Sequence, residues 1–314
     1  MIKQYEDLET WAWTEAMGEF MARMNFKAKL IGMDSSTFVN PYGGCAFGWN
    51  ETTCMDMLRL GIHAYSYPYI MDVMSSSGNV RIHVYGEHER DVDIDCSNDF
   101  DAAAKRVHGE DAVNPYEIRG GKGGGWSTGE HKTFAYIAFC RVYGKDIVAV
   151  VDNHTADRSV GRLYRLNAII EILDICAKKI RGEDISGMKL KYADCGAAAF
   201  LPEHTNSVLL KKAPIELIFG QNENERFNPA SMSKILMAIT AFDIWGSNQE
   251  MYQIRDEDIC NDSNYWAFPG DIESIEYGLY PILINSNGSN TMALARHCGE
   301  KILEEKRKFG ILPK

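Results

Sequence analysis

Ser231 and Lys234 stand three residues apart, directly after Asn228-Pro229-Ala230. Proline is well placed in the first turn of a helix, so the spacing predicts a helix that opens here with both side chains one turn apart on the same face. A serine hydroxyl is a poor nucleophile until a neighbouring base takes its proton, and a lysine serves if burial or a second cation lowers its pKa. The start of a helix adds a backbone N–H and a positive dipole end for a developing oxyanion. Downstream lies Ile284-Asn285-Ser286-Asn287-Gly288, where Ser286 can pass a proton between Lys234 and a leaving group. Upstream lies Gly120-Gly121-Lys122-Gly123-Gly124-Gly125. This run fails the phosphate-loop pattern, since position 116 is Tyr and neither Ser nor Thr follows Lys122 directly. On an edge strand its glycines would let backbone approach a bound ligand closely, with Lys122 offering charge to a carboxylate. Taken singly, each motif also has a plainer reading as a solvated helix face, an Asn/Gly/Ser turn or a flexible loop.

These residues need a scaffold, and the hydrophobic pattern supplies one. Apolar residues at helical spacing (Leu8, Trp11, Met17, Phe20, Met24) predict one long helix over 7–31, ended by Gly32. The stretch 37–44 reads as a strand or extended turn, and Thr52 or Thr53 caps a second helix carrying Met57, Leu58 and Leu60. Residues 79–112 are polar and charge-rich, with one strand expected at 80–85. Strands are expected at 134–142 and 146–151 around the turn Tyr143-Gly144-Lys145. A helix over 159–180 follows, with Leu163, Leu166, Ile169, Ile170 and Leu173 on one face. The polar segment 179–194 reads as a linker. Strands at 196–201 and 215–220 then lead to the helix of Ser231. This is an α+β arrangement, an antiparallel sheet with helices packed on it.

At 314 residues, 45% hydrophobic and 25% charged, the chain can bury a sizeable core. Its formal charge of −11 argues against a nucleic-acid surface, which needs clustered Lys and Arg. No apolar run is long enough to span a bilayer and no export signal is visible, so a cytoplasmic protein is expected. The eight cysteines (Cys45, Cys54, Cys96, Cys140, Cys176, Cys195, Cys260 and Cys298) include no Cys-x-x-Cys pair, which points to reduced thiols and no zinc spacing. The histidines, His154 among them, likewise show no metal spacing, so neither metal nor cofactor is expected.

Ser-x-x-Lys, Ser-x-Asn and Lys-Thr-Gly are together the catalytic set of penicillin-binding proteins and serine β-lactamases. The chain resembles the D-alanyl-D-alanine carboxypeptidase branch of that superfamily, read from a different starting point. In the family the Lys-Thr-Gly element comes last, whereas here Lys122 comes first. Beginning at Cys195, residues 196–201 resemble the family's first strand, 223–231 the approach to its nucleophile and 231–238 the nucleophile helix. Phe268-Pro269-Gly270-Asp271 and Tyr277-Gly278-Leu279 then lead to Ser286 and Ala293-Leu294-Ala295. The pattern resumes at the N-terminus with residues 24–33 and 38–43, and closes with Lys122 and the hairpin at 134–151.

The resemblance implies a circularly permuted β-lactamase/transpeptidase-like fold, an antiparallel sheet flanked by helices with a helical lobe. One catalytic domain would occupy 1–314, with 179–194 joining the original termini and 76–112 as a surface excursion. By the same resemblance Ser231 forms an acyl-enzyme, Lys234 is its base, and Ser286 and Lys122 complete the catalytic group. The N–H groups of Ser231 and Gly125 form the oxyanion hole, beside Gly123 and Gly124. Two positions depart from the family: Gly123 replaces its Thr, and Gly288 falls where its Asn belongs, leaving Asn287 or Asn290 to substitute. The implied partner is a small peptide or β-lactam-like substrate. The alternatives are a cytoplasmic amidase or esterase acting on small D-amino-acid peptides, and a non-catalytic ligand-binding homologue.

Overall fold

The structure is a computed structural model that describes residues 14–44, 48–128, 131–202, 214–260 and 267–312. Among these, a five-stranded antiparallel sheet runs in the order β3-β4-β5-β6-β7. Its strands are β3 (Glu117–Thr128), β4 (His131–Val142), β5 (Lys145–Asn153), β6 (Cys195–Phe200) and β7 (Leu217–Gln221). The β4–β5 turn places Tyr143 (φ 47°) and Gly144 (φ 77°) in the left-handed region, the backbone of a tight two-residue hairpin.

Side chains alternate across this sheet, and both faces are covered. Ile137, Phe139, Val148, Val150, Ala197 and Ala199 enter one core, while Ala138, Cys140, Ile147, Ala149, Val151 and Ala198 enter another. Burial on both faces explains why these strands read as continuous apolar runs rather than alternating ones. The second face is closed by α4 (Phe100–His108) and α5 (Arg158–Ile180). On α5 the buried stripe runs through Gly161, Asn167, Ile169, Ile170 and Leu173, whereas Leu163 is exposed, a correction to the expected face. Gly161 sits over the Phe134 ring, where a β-carbon would come within 2.1 Å.

The first face carries α1 (Glu15–Leu30), α2 (Cys54–Ala64), α3 (Pro68–Ser75), α6 (Ser233–Trp245), α7 (Ile275–Leu283) and α8 (Gly288–Lys308). Helix α1 begins at Thr14, whose hydroxyl accepts the Met17 N–H; residues 7–13 of the expected helix lie outside the described residues. Thr53 caps α2 by accepting the Asp56 N–H. Helix α6 is buried from Ser233 to Ala241 and ends at Gly246 in a left-handed cap. Helices α1 and α8 meet so closely that a β-carbon on Gly299 would lie 1.8 Å from the Ala16 carbonyl oxygen.

One expectation changes. Residues 79–112 hold more than one strand: β1 (Asn79–Gly86) and β2 (Arg90–Asp95) form a hairpin and α4 follows. With β8 (Met251–Gln253) and β9 (Asp271–Ser274) they make a second antiparallel sheet, ordered β2-β1-β9-β8. The charges that made this stretch read as loop are cross-strand pairs, Arg81 opposite Asp93 and His83 opposite Asp91. Of the two readings of residues 37–44, strand or extended turn, the second holds: beyond the single Thr37–Glu51 bridge the backbone bends without pairing. The cause is a buried asparagine pair: Asn40 Oδ1 accepts the Gly43 N–H, and Asn50 Oδ1 accepts that of Val39.

Candidate active site

Ser231 lies in a single 3-10 turn, Ala230–Met232, that runs directly into α6. The turn is strained: Ala230 has φ 45°, a left-handed conformation unfavourable for alanine. Several contacts hold it there. Asn228 Oδ1 accepts the Ala230 N–H at 2.8 Å, and the Asn228 carbonyl lies 2.8 Å from the Thr133 hydroxyl on β4. From the other side Gly43 presses so close that a β-carbon would sit 1.8 Å from the Ala230 oxygen and 2.9 Å from the Ser231 nitrogen. With φ +85°, Gly43 satisfies a conformational and a steric demand together.

Lys234 is fully buried one turn on. Its Nζ stands 3.1 Å from Ser231 Oγ and donates to the Tyr42 carbonyl at 2.7 Å. Ser231 itself is only partly buried. Hydroxyl and amine therefore stand side by side, and the 40–44 turn holds the amine through the Tyr42 carbonyl.

Strand β3 forms the opposite wall. It is the sheet edge, and Gly124 packs on the turn, with room for no side chain: a β-carbon would lie 2.3 Å from the Pro229 oxygen and 3.3 Å from the Met232 nitrogen. Gly125, the next residue, is exposed. Lys122 is buried and donates to Ser286 Oγ at 2.9 Å and to the Gly123 carbonyl at 3.1 Å. Ser286 has φ 64°, so it too is a non-glycine residue in the left-handed region, as Ala230 is. The structure thus forms two hydroxyl–amine pairs, Ser231–Lys234 and Ser286–Lys122, and β3 touches both, through Gly124 on the Ser231 turn and through Lys122 itself.

The asparagines have structural partners. Asn287 is the N-cap of α8 and accepts the Asn290 N–H at 2.7 Å. Asn290 Nδ2 donates to Glu273 Oε2 at 2.8 Å and to Tyr252 Oη at 3.2 Å, in a fully buried network. Gly288 begins α8 and brings no side chain.

Arg165 on α5 was not foreseen. The space beside Gly123 belongs to its guanidinium, 2.7–2.8 Å from where a β-carbon would be. Its Nη1 donates to the Gly124 carbonyl at 2.9 Å and the group lies over the Tyr136 ring. Its Nε is buried with no hydrogen-bond partner among the described residues. Burial pulls its pKa down, yet arginine stays cationic at neutral pH. A lone arginine on a long amphipathic helix carries no sequence signal of such a role.

Comparison with protein-family models, curated proteins and solved structures gave no match. Among the described residues no helix is long and apolar enough to cross a membrane.

Proposed function

We propose that the chain is a serine acyl-transferring hydrolase of the penicillin-binding type, D-alanyl-D-alanine carboxypeptidase-like, on a circularly permuted β-lactamase/transpeptidase-like fold. The observation that carries this reading is the Ser231 hydroxyl, on a partly buried residue, 3.1 Å from the fully buried Lys234 amine, on a strained turn against a glycine edge strand. In the neutral amine form Lys234 donates to the Tyr42 carbonyl and accepts the Ser231 proton as Oγ attacks a carbonyl carbon. The proton passes to the leaving amine through Ser286, whose Oγ is held by Lys122. Collapse of the tetrahedral intermediate breaks the C–N bond and leaves an ester on Ser231, which water then cleaves.

Permutation is supported by three placements. Strand β6, which resembles the family's first strand, lies beside β5 at the sheet centre. Residues 182–194 carry the chain from the end of α5 to β6 without a helix or strand. Helix α8 packs on α1, where the resemblance jumps from C-terminus to N-terminus. The substrate class we infer is a small peptide or β-lactam-like amide bearing a carboxylate, met by Lys122 and Arg165 in place of the missing threonine. A non-catalytic binding homologue is the second reading, favoured by the absence of a side chain at Gly288.

Intact-mass measurement after incubation with a β-lactam or an activated ester tests the proposal. A stoichiometric adduct that vanishes in Ser231→Ala is expected. Wild-type protein that stays unmodified and hydrolyses no ester would refute the enzymatic reading.

A further inference from the structure

Away from Ser231, the exit of β5, the start of β6 and the loop after β7 bring His154, Cys195 and Glu225 together. Their ligand atoms lie within 4.8 Å of one another. Glu225 Oε1 is 3.6 Å from His154 Nε2, and Glu225 Oε2 is 3.6 Å from Cys195 Sγ. Around a tetrahedral zinc ion, bonds of about 2.0–2.3 Å put neighbouring ligand atoms about 3.3–3.7 Å apart. The two Glu225 contacts, one from each carboxylate oxygen, fall in that range, and the three groups are close enough for small side-chain shifts to close them on one small ion.

The support behind the histidine fits as well. His154 Nδ1 is 3.0 Å from Asp152 Oδ2, and Asp152 is fully buried with its other oxygen 2.7 Å from the Thr133 hydroxyl. A carboxylate on one imidazole nitrogen fixes the ring and directs the other lone pair outward, as in carboxylate–histidine–zinc sites. Asp194 fixes the loop by accepting the N–H groups of His154 and Thr155. The His154 side chain is 30% exposed and that of Glu225 47%, so an ion can enter and a water can complete its shell.

We propose that His154, Cys195 and Glu225 form a binding site for a divalent transition metal of the zinc class, with Asp152 orienting the histidine. A nitrogen, a sulfur and a carboxylate oxygen match that class, whereas calcium and magnesium take oxygen ligands. Binding releases the Cys195 thiol proton to solvent and forms a metal–thiolate bond, with no change of oxidation state. The ion would tie β5 and β6 to the loop that reaches Ser231 six residues after Glu225.

The test uses the full chain stripped with a chelator, then titrated with zinc against a chromophoric competitor and, separately, with cobalt(II). One equivalent of zinc and a thiolate-to-cobalt charge-transfer band are expected. Cys195→Ser should abolish that band, and Asp152→Asn should weaken zinc binding about 10- to 100-fold. Glu225→Gln, at a half-exposed position that does not threaten folding, should weaken it at least as much. Cys260→Ser, which alters a partly exposed thiol elsewhere, should change nothing. Wild type that binds no zinc would overturn the proposal, as would zinc affinity unchanged by Glu225→Gln or a cobalt spectrum unchanged by Cys195→Ser. None of these readouts depends on Ser231 being active.

Discussion

Removing the Arg165 guanidinium should erase discrimination between a substrate ending in a free carboxylate and its amide. The guanidinium occupies the space beside Gly123, and its Nε has no partner among the described residues. A hydrogen bond to a charged group contributes roughly 1.5–3 kcal/mol, which corresponds to a preference of about ten- to a hundred-and-fifty-fold. The assay compares kcat/KM for a D-Ala-D-Ala peptide and its C-terminal amide in wild type, Arg165→Ala and Arg165→Lys. Wild type should favour the free acid by that factor, Arg165→Ala should lose nearly all of it, and Arg165→Lys should recover part. A neutral ester serves as control, because Arg165 Nη1 also holds the Gly124 carbonyl. Its turnover should fall far less than that of the free acid. Gly123→Thr, which fits the family pattern better, should reduce the preference, since its β-carbon would displace the arginine. A free-acid preference unchanged in Arg165→Ala, or strengthened in Gly123→Thr, would refute the reasoning.

Three further outcomes are expected. Ser231→Ala and Lys234→Ala should each abolish ester turnover while the near-ultraviolet circular dichroism spectrum stays native. Gly43→Ala should lower kcat/KM about a hundredfold, because a β-carbon 1.8 Å from the Ala230 oxygen must shift the nucleophile turn, and displacements near 1 Å cost that much. His63 is buried beside Tyr67 and near Lys27 and Asp243; burial, then the Lys27 charge, pulls its pKa from 6.5 to about 4. The unfolded chain therefore binds this proton more readily than the folded one. The contribution is fully present above about pH 6.5 and is lost progressively as pH falls toward 4, by roughly 3 kcal/mol at most. Urea melts of wild type and His63→Leu across that range should show the variant's stability falling less steeply with acid; parallel pH profiles would contradict the assignment.

Much of the site was legible because its chemistry is local in sequence. Ser231 and Lys234 share one helical turn, Thr53 caps α2 as its position suggested, and the turn at Tyr143-Gly144 sets the central hairpin. What escaped depends on contacts between distant segments. Arg165 reaches Gly123 only because α5 crosses the sheet, and the Tyr42 carbonyl reaches Lys234 through a turn stabilised by Asn40 and Asn50. The His154–Cys195–Glu225 cluster draws one residue from each of three segments, so no spacing rule could reveal it. The second sheet was hidden because β1 and β2 are half-exposed and carry paired charges, a pattern that resembles loop until the partner strand is known.

The packing of α1 on α8 also sets a timetable for biosynthesis. Phe20, Met21 and Met24 are buried in the shared core, yet α8 begins only at Gly288. At roughly 5–20 residues per second, a ribosome leaves that apolar stripe without its C-terminal partner for about 10 to 50 s. Meanwhile β4 and β5, neighbours in sequence, can pair at once. The nascent chain thus carries an assembled hairpin beside an unmatched greasy helix, an intermediate suited to chaperone capture. A message truncated before Gly288 would yield a product that keeps Ser231, Lys234 and the contact of α1 with α6 but lacks the helix that covers the rest of its first helix.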